Sequence, residues 1–261
     1  MRYMPNHFQP GCASQQNAAP RKSVVQVHFA ERNMTLAYFN DRFDLHRGDL
    51  VYVDGKLEGL RGRVVDVNYN FRIRVSDYKR VIAVVNTTVH GQFFMAGSHF
   101  ITFDPAVLPA AQVVTWFKAP AKAEDEFISG SDDTAFPLDD LSRIQVSGTI
   151  AERGENYYLE NRVRYLSLNG TRGYAIVTGG EAYEVEFQYA DGKISALTCS
   201  CFCSYNCKHE IAVMLQLRET LGLIEKHYAA EYKRTGSFAA VAKSTLFSYA
   251  VDNQETGSII I

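Results

Sequence analysis

Cysteine is scarce in this chain and confined. Of five cysteines, four fall between Cys199 and Cys207; the fifth, Cys12, lies near the N-terminus. That usage argues against a disulfide-stapled secreted scaffold, whose cysteines are spread over the fold. An excess of charge is lacking too: 27 Lys and Arg stand against 29 Asp and Glu, a formal net charge of -2. Bulk attraction to nucleic acid or to an anionic membrane is thereby excluded, and any such binding has to come from a local patch. No apolar run approaches the roughly 20 residues a membrane helix needs, so no membrane association is expected. The opening stretch, MRYMPNHFQPGCASQQNAAPRK, has no apolar centre of a secretory signal. The expected compartment is the cytoplasm, where clustered thiols serve as metal ligands or nucleophiles more often than as disulfides.

What is present is a chain of 261 residues, 46% apolar and 21% charged, enough for one large domain or two ordinary ones. Residues 1–22, rich in Gln, Asn, Pro and Ala, read as a tail without fixed structure. From Ser23 short alternating runs follow one another: SVVQVHFA, LVYVDG, RGRVVDVNY, FRIRVSDY and RVIAVVNTTV, separated by turn residues. They predict an antiparallel β-barrel-like domain over 23–118. Residues 119–140 carry seven acidic residues against one lysine, with Gly, Ser and Pro mixed in, and read as an acidic linker. The remainder, 141–261, predicts a helix around 150–160, then β-hairpins turning at Asn169-Gly170 and Asp191-Gly192. A helix from Glu210 and a terminal strand follow. The fold class expected is α+β.

The chemistry concentrates in CSCFCSYNCKH, Cys199 to His209. A zinc ion takes four thiolate or imidazole ligands in a tetrahedron. Cys199 and Cys201 form one pair, and Cys207 and His209 a second at the start of a helix, whose dipole favours thiolate. On a flat strand the first pair would point to opposite faces, so the strand has to end and curl there. An iron–sulfur cluster on Cys199, Cys201, Cys203 and Cys207 is the competing metal reading, and a thiol enzyme using Cys203 the competing catalytic one. Four ordinary buried thiols within nine residues are the least economical account.

Cys-x-Cys, a short gap, then Cys-x-His entering an apolar helix resembles the SWIM zinc finger. The likeness to its bacterial form runs over about residues 145–220, through Arg153-Gly154, Tyr157-Tyr158, the strand at Val163, the Ala-x-Val strand and Tyr183-Glu-Val to CKHEIAVML. The resemblance implies that Cys199, Cys201, Cys207 and His209 hold Zn2+, with Cys203 outside the four-ligand pattern. It also implies a DNA, RNA or protein partner. With every position filled by protein, such a zinc is structural, and no catalytic residue is expected.

In the first domain Arg61, Arg63, Arg72, Arg74, Lys79 and Arg80 stand close together, interleaved with Tyr69, Phe71 and Tyr78. Arg61 and Arg63 are expected on one strand face, as are Arg72 and Arg74. Such rows suit phosphate contact and base stacking; a solvated face over an aromatic core is the alternative. Lys208, between the last two ligands, is a further candidate contact. The run VVQVHFA, AYFND, LHRGDLVYVDG, GLRGRVVDV resembles the small β-barrel that opens primosomal replication helicases. The leading expectation is a non-catalytic, zinc-organised DNA- or RNA-binding protein. The alternative is an adaptor for a helicase or recombination assembly.

Overall fold

A computed structural model describes residues 20–121, 134–201, 203, 205–251 and 259–260. Cys12 and most of the expected tail, and the middle of the expected linker, lie outside the described residues. The class is α+β, with two antiparallel sheets, one short parallel strand pair, and helices packed on the larger sheet.

Strands β1 (Ser23–Phe29), β2 (Met34–Asn40), β3 (Leu50–Val53), β4 (Arg61–Asn68) and β5 (Val81–Val84) form a sheet in the order β2-β1-β4-β3-β5. The sheet curls until its two edges touch: the Phe39 amide donates to the Lys79 carbonyl at 2.9 Å. The alternation visible in SVVQVHF becomes a strict inside–outside pattern, with Val25, Val27 and Phe29 buried against Tyr38, Val51, Val53 and Val64.

Three short strands follow: β6 (Val89–His90), β7 (Phe94–Ala96) and β8 (His99–Thr102). After them come the one-turn helix α1 (Ala110–Val113), strand β9 (Phe136–Pro137) and helix α2 (Gly148–Leu159). Four strands form the hairpins, β10 (Val163–Asn169), β11 (Arg172–Thr178), β12 (Ala182–Ala190) and β13 (Lys193–Cys199). Helices α3 (Lys208–His227) and α4 (Ala229–Thr235), strand β14 (Ser237–Ala242), the short α5 (Lys243–Leu246) and β15 (Ile259–Ile260) complete the order. Both expected hairpins are there: the first turns at Gly170-Thr171, one residue later than expected because Asn169 still pairs with Arg172, with Gly170 at positive φ, and the second turns at Asp191-Gly192, both at positive φ. The helix expected at 150–160 is α2, capped by the Ser147 hydroxyl, which accepts from the Ile150 amide.

The large sheet runs β7-β8-β14-β10-β11-β12-β13-β9. Strands β7 and β8 lie inside the stretch read as barrel, yet β8 pairs with β14 over Ala239–Ala242. Part of the stretch read as linker, Phe136–Pro137, pairs with β13. The sheets therefore divide the chain just after β5, ahead of the change in composition at 119. Alternation says that a segment is a strand; it does not say which edge completes its hydrogen bonds.

One face of the large sheet packs on α2 and α3, through Leu166, Val177, Val185 and Ile194 against Ile211, Met214 and Leu217. The other face is closed by the barrel. Leu50 and Tyr52 join Leu108, Val113 and Trp116 over Tyr165, Ile176 and Val241 in one shared core. Polar tips in that core are satisfied: Tyr52 donates to the Thr115 carbonyl at 3.0 Å and Trp116 to the Asn86 carbonyl at 2.7 Å.

Candidate metal centre

Cys199, Cys201, Cys207 and His209 converge, each offering one ligand atom, all within 4.8 Å of one another. Two local devices bring the first pair in. Between Glu186 and Gln188 the register of β12 with β13 slips, so Ala196 and Leu197 together oppose Phe187. Ala196 takes φ 49 there, a left-handed conformation unusual for alanine. The slip exchanges faces: Ile194, Leu197 and Cys199 all point into the helix-covered core, where regular alternation would put Cys199 on the far side. The strand then ends at Cys199. Ser200 is pinned to Glu184 twice, amide to carbonyl at 2.9 Å and hydroxyl accepting from the Glu184 amide at 2.9 Å. The bend brings Cys201 round to the same point.

The second pair belongs to α3. Cys207 is its N-cap: the sulfur accepts from the Glu210 amide, and the Glu210 carboxylate accepts from the Cys207 amide at 2.7 Å. His209 follows in the first turn. Its Nδ1 lies 3.7 Å from the sulfurs of both Cys199 and Cys207. A tetrahedral ion with bonds of about 2.3 Å to sulfur and about 2.0 Å to nitrogen requires sulfur–nitrogen edges of about 3.5 Å. The donor set and its spacing fit such an ion. Cys207 and His209 are buried, Cys199 and Cys201 half-buried, and Cys203 is exposed outside the group.

Burial and a hydrogen bond set the protonation of the site without metal. Desolvation lowers His209 to about 4, leaving a neutral imidazole ready to donate a lone pair. Desolvation raises Cys201 to about 12. The hydrogen bond with Cys199, then burial, then the Glu210 carboxylate push Cys207 up as well. Burial also raises Glu210, to about 7. An incoming cation therefore has to displace thiol protons, and its affinity falls as pH falls.

The helix pair behind the site meets at Gly154. A Cβ there would lie 2.5 Å from the Ile211 Cβ, so α2 can approach α3 this closely only without a side chain. Around His209 stand Tyr183, stacked at 4.2 Å, and Tyr157, tilted at 5.5 Å; Lys208 and Arg162 each lie 4.7 Å from the Tyr157 ring.

The basic row disperses. Arg61 and Arg63 do share a face of β4, but Arg61 donates to the Trp116 carbonyl at 3.0 Å and covers the Tyr249 ring, and Arg63 donates to the Gly48 carbonyl at 3.0 Å. Arg80 is ion-paired with Asp41. The strand expected under Arg72 and Arg74 is absent; Phe71 to Arg74 are irregular and lead into a single helical turn at Val75–Asp77. Arg72, Arg74 and Lys79 remain exposed. Sequence reasoning missed Arg21, assigned to the tail, whose guanidinium sits 4.3 Å over Tyr69. It also missed the bulge at Ala196 and the Ser200–Glu184 pins, which carry no sequence signal beyond ordinary strand residues.

No family model, no curated protein and no solved structure matches this chain. The likeness to SWIM fingers rests on the motif residues alone.

Proposed function

We propose that Cys199, Cys201, Cys207 and His209 bind Zn2+ in a structural role, and that the protein is a non-catalytic DNA- or RNA-binding protein of the cytoplasm. The convergence of three thiols and one imidazole carries the metal reading. Four protein ligands leave no position for water or substrate, so the ion supplies folding free energy. Among the described residues, no helix is long and apolar enough to cross a membrane. For nucleic acid, support comes from exposed Arg72, Arg74 and Lys79 on the barrel, and from Arg21 over the Tyr69 ring. Lys208 and Arg162 at the metal centre add positive charge, Arg162 in part answered by Glu160 at 2.5 Å.

A second reading, an adaptor for a helicase or recombination assembly, draws on Met34 and Leu36, which stand exposed on β2 at one edge of the barrel sheet. Salt separates the two. Binding to single-stranded DNA or RNA through phosphate weakens steeply as salt rises; a salt-insensitive interaction, or no nucleic-acid binding at all, leaves the adaptor. Elemental analysis of protein purified without added metal tests the ion: about one zinc per chain is expected, and iron or no metal in a folded chain overturns the assignment.

A further inference from the structure

A ligating imidazole is ordinarily oriented by a hydrogen bond from its second nitrogen to a carboxylate, carbonyl or water. His209 has none among the described residues: its Nε2 is buried without a hydrogen-bond partner there, while Nδ1 faces the two thiols. The final torsion of a histidine is broad and roughly two-fold, so an unrestrained ring could turn over and put Cδ2 in place of Nδ1 before the thiols. Something other than a hydrogen bond has to choose.

Two aromatic rings from different elements are in place to do so. Tyr183 of β12 lies parallel to the imidazole, centroids 4.2 Å apart and planes within 19°. Tyr157 of α2 meets it at 59° and 5.5 Å. A parallel ring fixes the imidazole plane, and a tilted ring beside it resists rotation within the pocket. Gly179 sits where both tyrosines need room. A Cβ there would fall 3.1 Å from the Tyr157 hydroxyl oxygen and 3.2 Å from Tyr183 Cε2.

We infer that Tyr183 and Tyr157 are positioning residues that hold His209 so that the metal is taken through Nδ1, with the proton on Nε2. This rests on the metal reading above. The test uses the full chain, zinc affinity by chelator competition, and 15N correlation spectra of the histidines in the zinc-loaded protein. In the wild type, His209 should show metal on Nδ1 and hydrogen on Nε2. Tyr183→Phe, which keeps the ring, should stay within about threefold of wild-type affinity, and Tyr183→Leu should lose about 10–100-fold, the usual cost of removing an outer-shell partner. A role in packing alone would lower the melting temperature of metal-free and loaded protein alike without changing the affinity or the nitrogen signature. Metal on Nε2 in the wild type overturns the inference without needing any variant to fold. Unchanged affinity in both Tyr183→Leu and Tyr157→Leu overturns it while leaving the metal site standing. A wild type that binds no zinc overturns both.

Discussion

Two clusters of functional side chains stood out in the sequence, and they fared differently in three dimensions. The segment 199–209 brings its four candidate ligands to one point. The segment 61–80 scatters its six cations: Arg61 goes to Trp116 and Tyr249, Arg63 to Gly48, Arg80 to Asp41, and Arg72, Arg74 and Lys79 to solvent. The difference lies in what a residue type demands. Three thiols and an imidazole have few stable arrangements other than shared coordination. An arginine is satisfied equally by a carbonyl, a carboxylate, an aromatic face or water. Sequence proximity therefore carries a firm message for cysteine and a weak one for arginine.

The strongest way to break this contrast is at Cys207. Cys207→Ala removes a candidate ligand and the cap of α3 together, and is expected to abolish stoichiometric metal and to lower the melting temperature to that of the metal-free wild type or below, read by elemental analysis and calorimetry. Cys203→Ser should change neither. Equal behaviour of the two variants would end the four-ligand reading.

Histidine supplies the next contrast. His99 is as buried as His209 but lies outside the candidate ligand group: its Nε2 meets the Val163 carbonyl at 2.8 Å and its Nδ1 the Ser98 hydroxyl at 3.0 Å. Burial, reinforced by Arg164 and Lys243, lowers it to about 4. The unfolded chain takes up this proton near pH 6.5 while the folded chain refuses it until about 4. Stability from this group is thus full above pH 6.5 and lost as pH falls toward 4, by about 3 kcal/mol. Denaturant titrations of the metal-free protein across that range should show the slope, and His99→Gln should flatten it.

Gly154→Ala probes the packing behind the candidate metal centre. Alanine gains about 1 kcal/mol of helix propensity, but a methyl 2.5 Å from Ile211 costs about 1–3 kcal/mol. The net expectation is a loss of about 1 kcal/mol in urea unfolding; a gain would mean that α2 and α3 separate freely.

Within the basic row, Arg61→Ala should cost about 1–2 kcal/mol of stability through its lost bond to Trp116 and leave nucleic-acid binding unchanged. The pair Arg72→Ala and Arg74→Ala should do the reverse, reducing the salt slope of binding by about one per residue. The smallest effect is expected at Ala196→Gly, which relieves left-handed backbone and should stabilise by about 0.5–1 kcal/mol.

Much of the architecture was legible. Period-2 runs from Ser23 and from Val163 are strands, the turn expected at Asn169-Gly170 falls one residue later at Gly170-Thr171, Asp191-Gly192 is a turn, and EIAVMLQLRETLGLIEKH lies in α3. Strand identity is a local property, set by side-chain alternation and turn chemistry over a few residues. Partner choice is not: nothing in FMAGSHFIT announces that β8 will pair with β14, some 140 residues later.

The sequence by itself determined that four candidate ligands of the right chemistry lie within eleven residues, at the head of a helix, because those residues are local and their spacing is written in the chain. Only the tertiary structure decided how they meet. The slip at Ala196 turns Cys199 inward, Ser200 is tied to Glu184, and α2 reaches α3 across Gly154. Tyr157 and Tyr183 close on the imidazole from separate elements. Each of these depends on contacts between residues far apart in the chain or on a single backbone angle, and no local pattern of side chains encodes either.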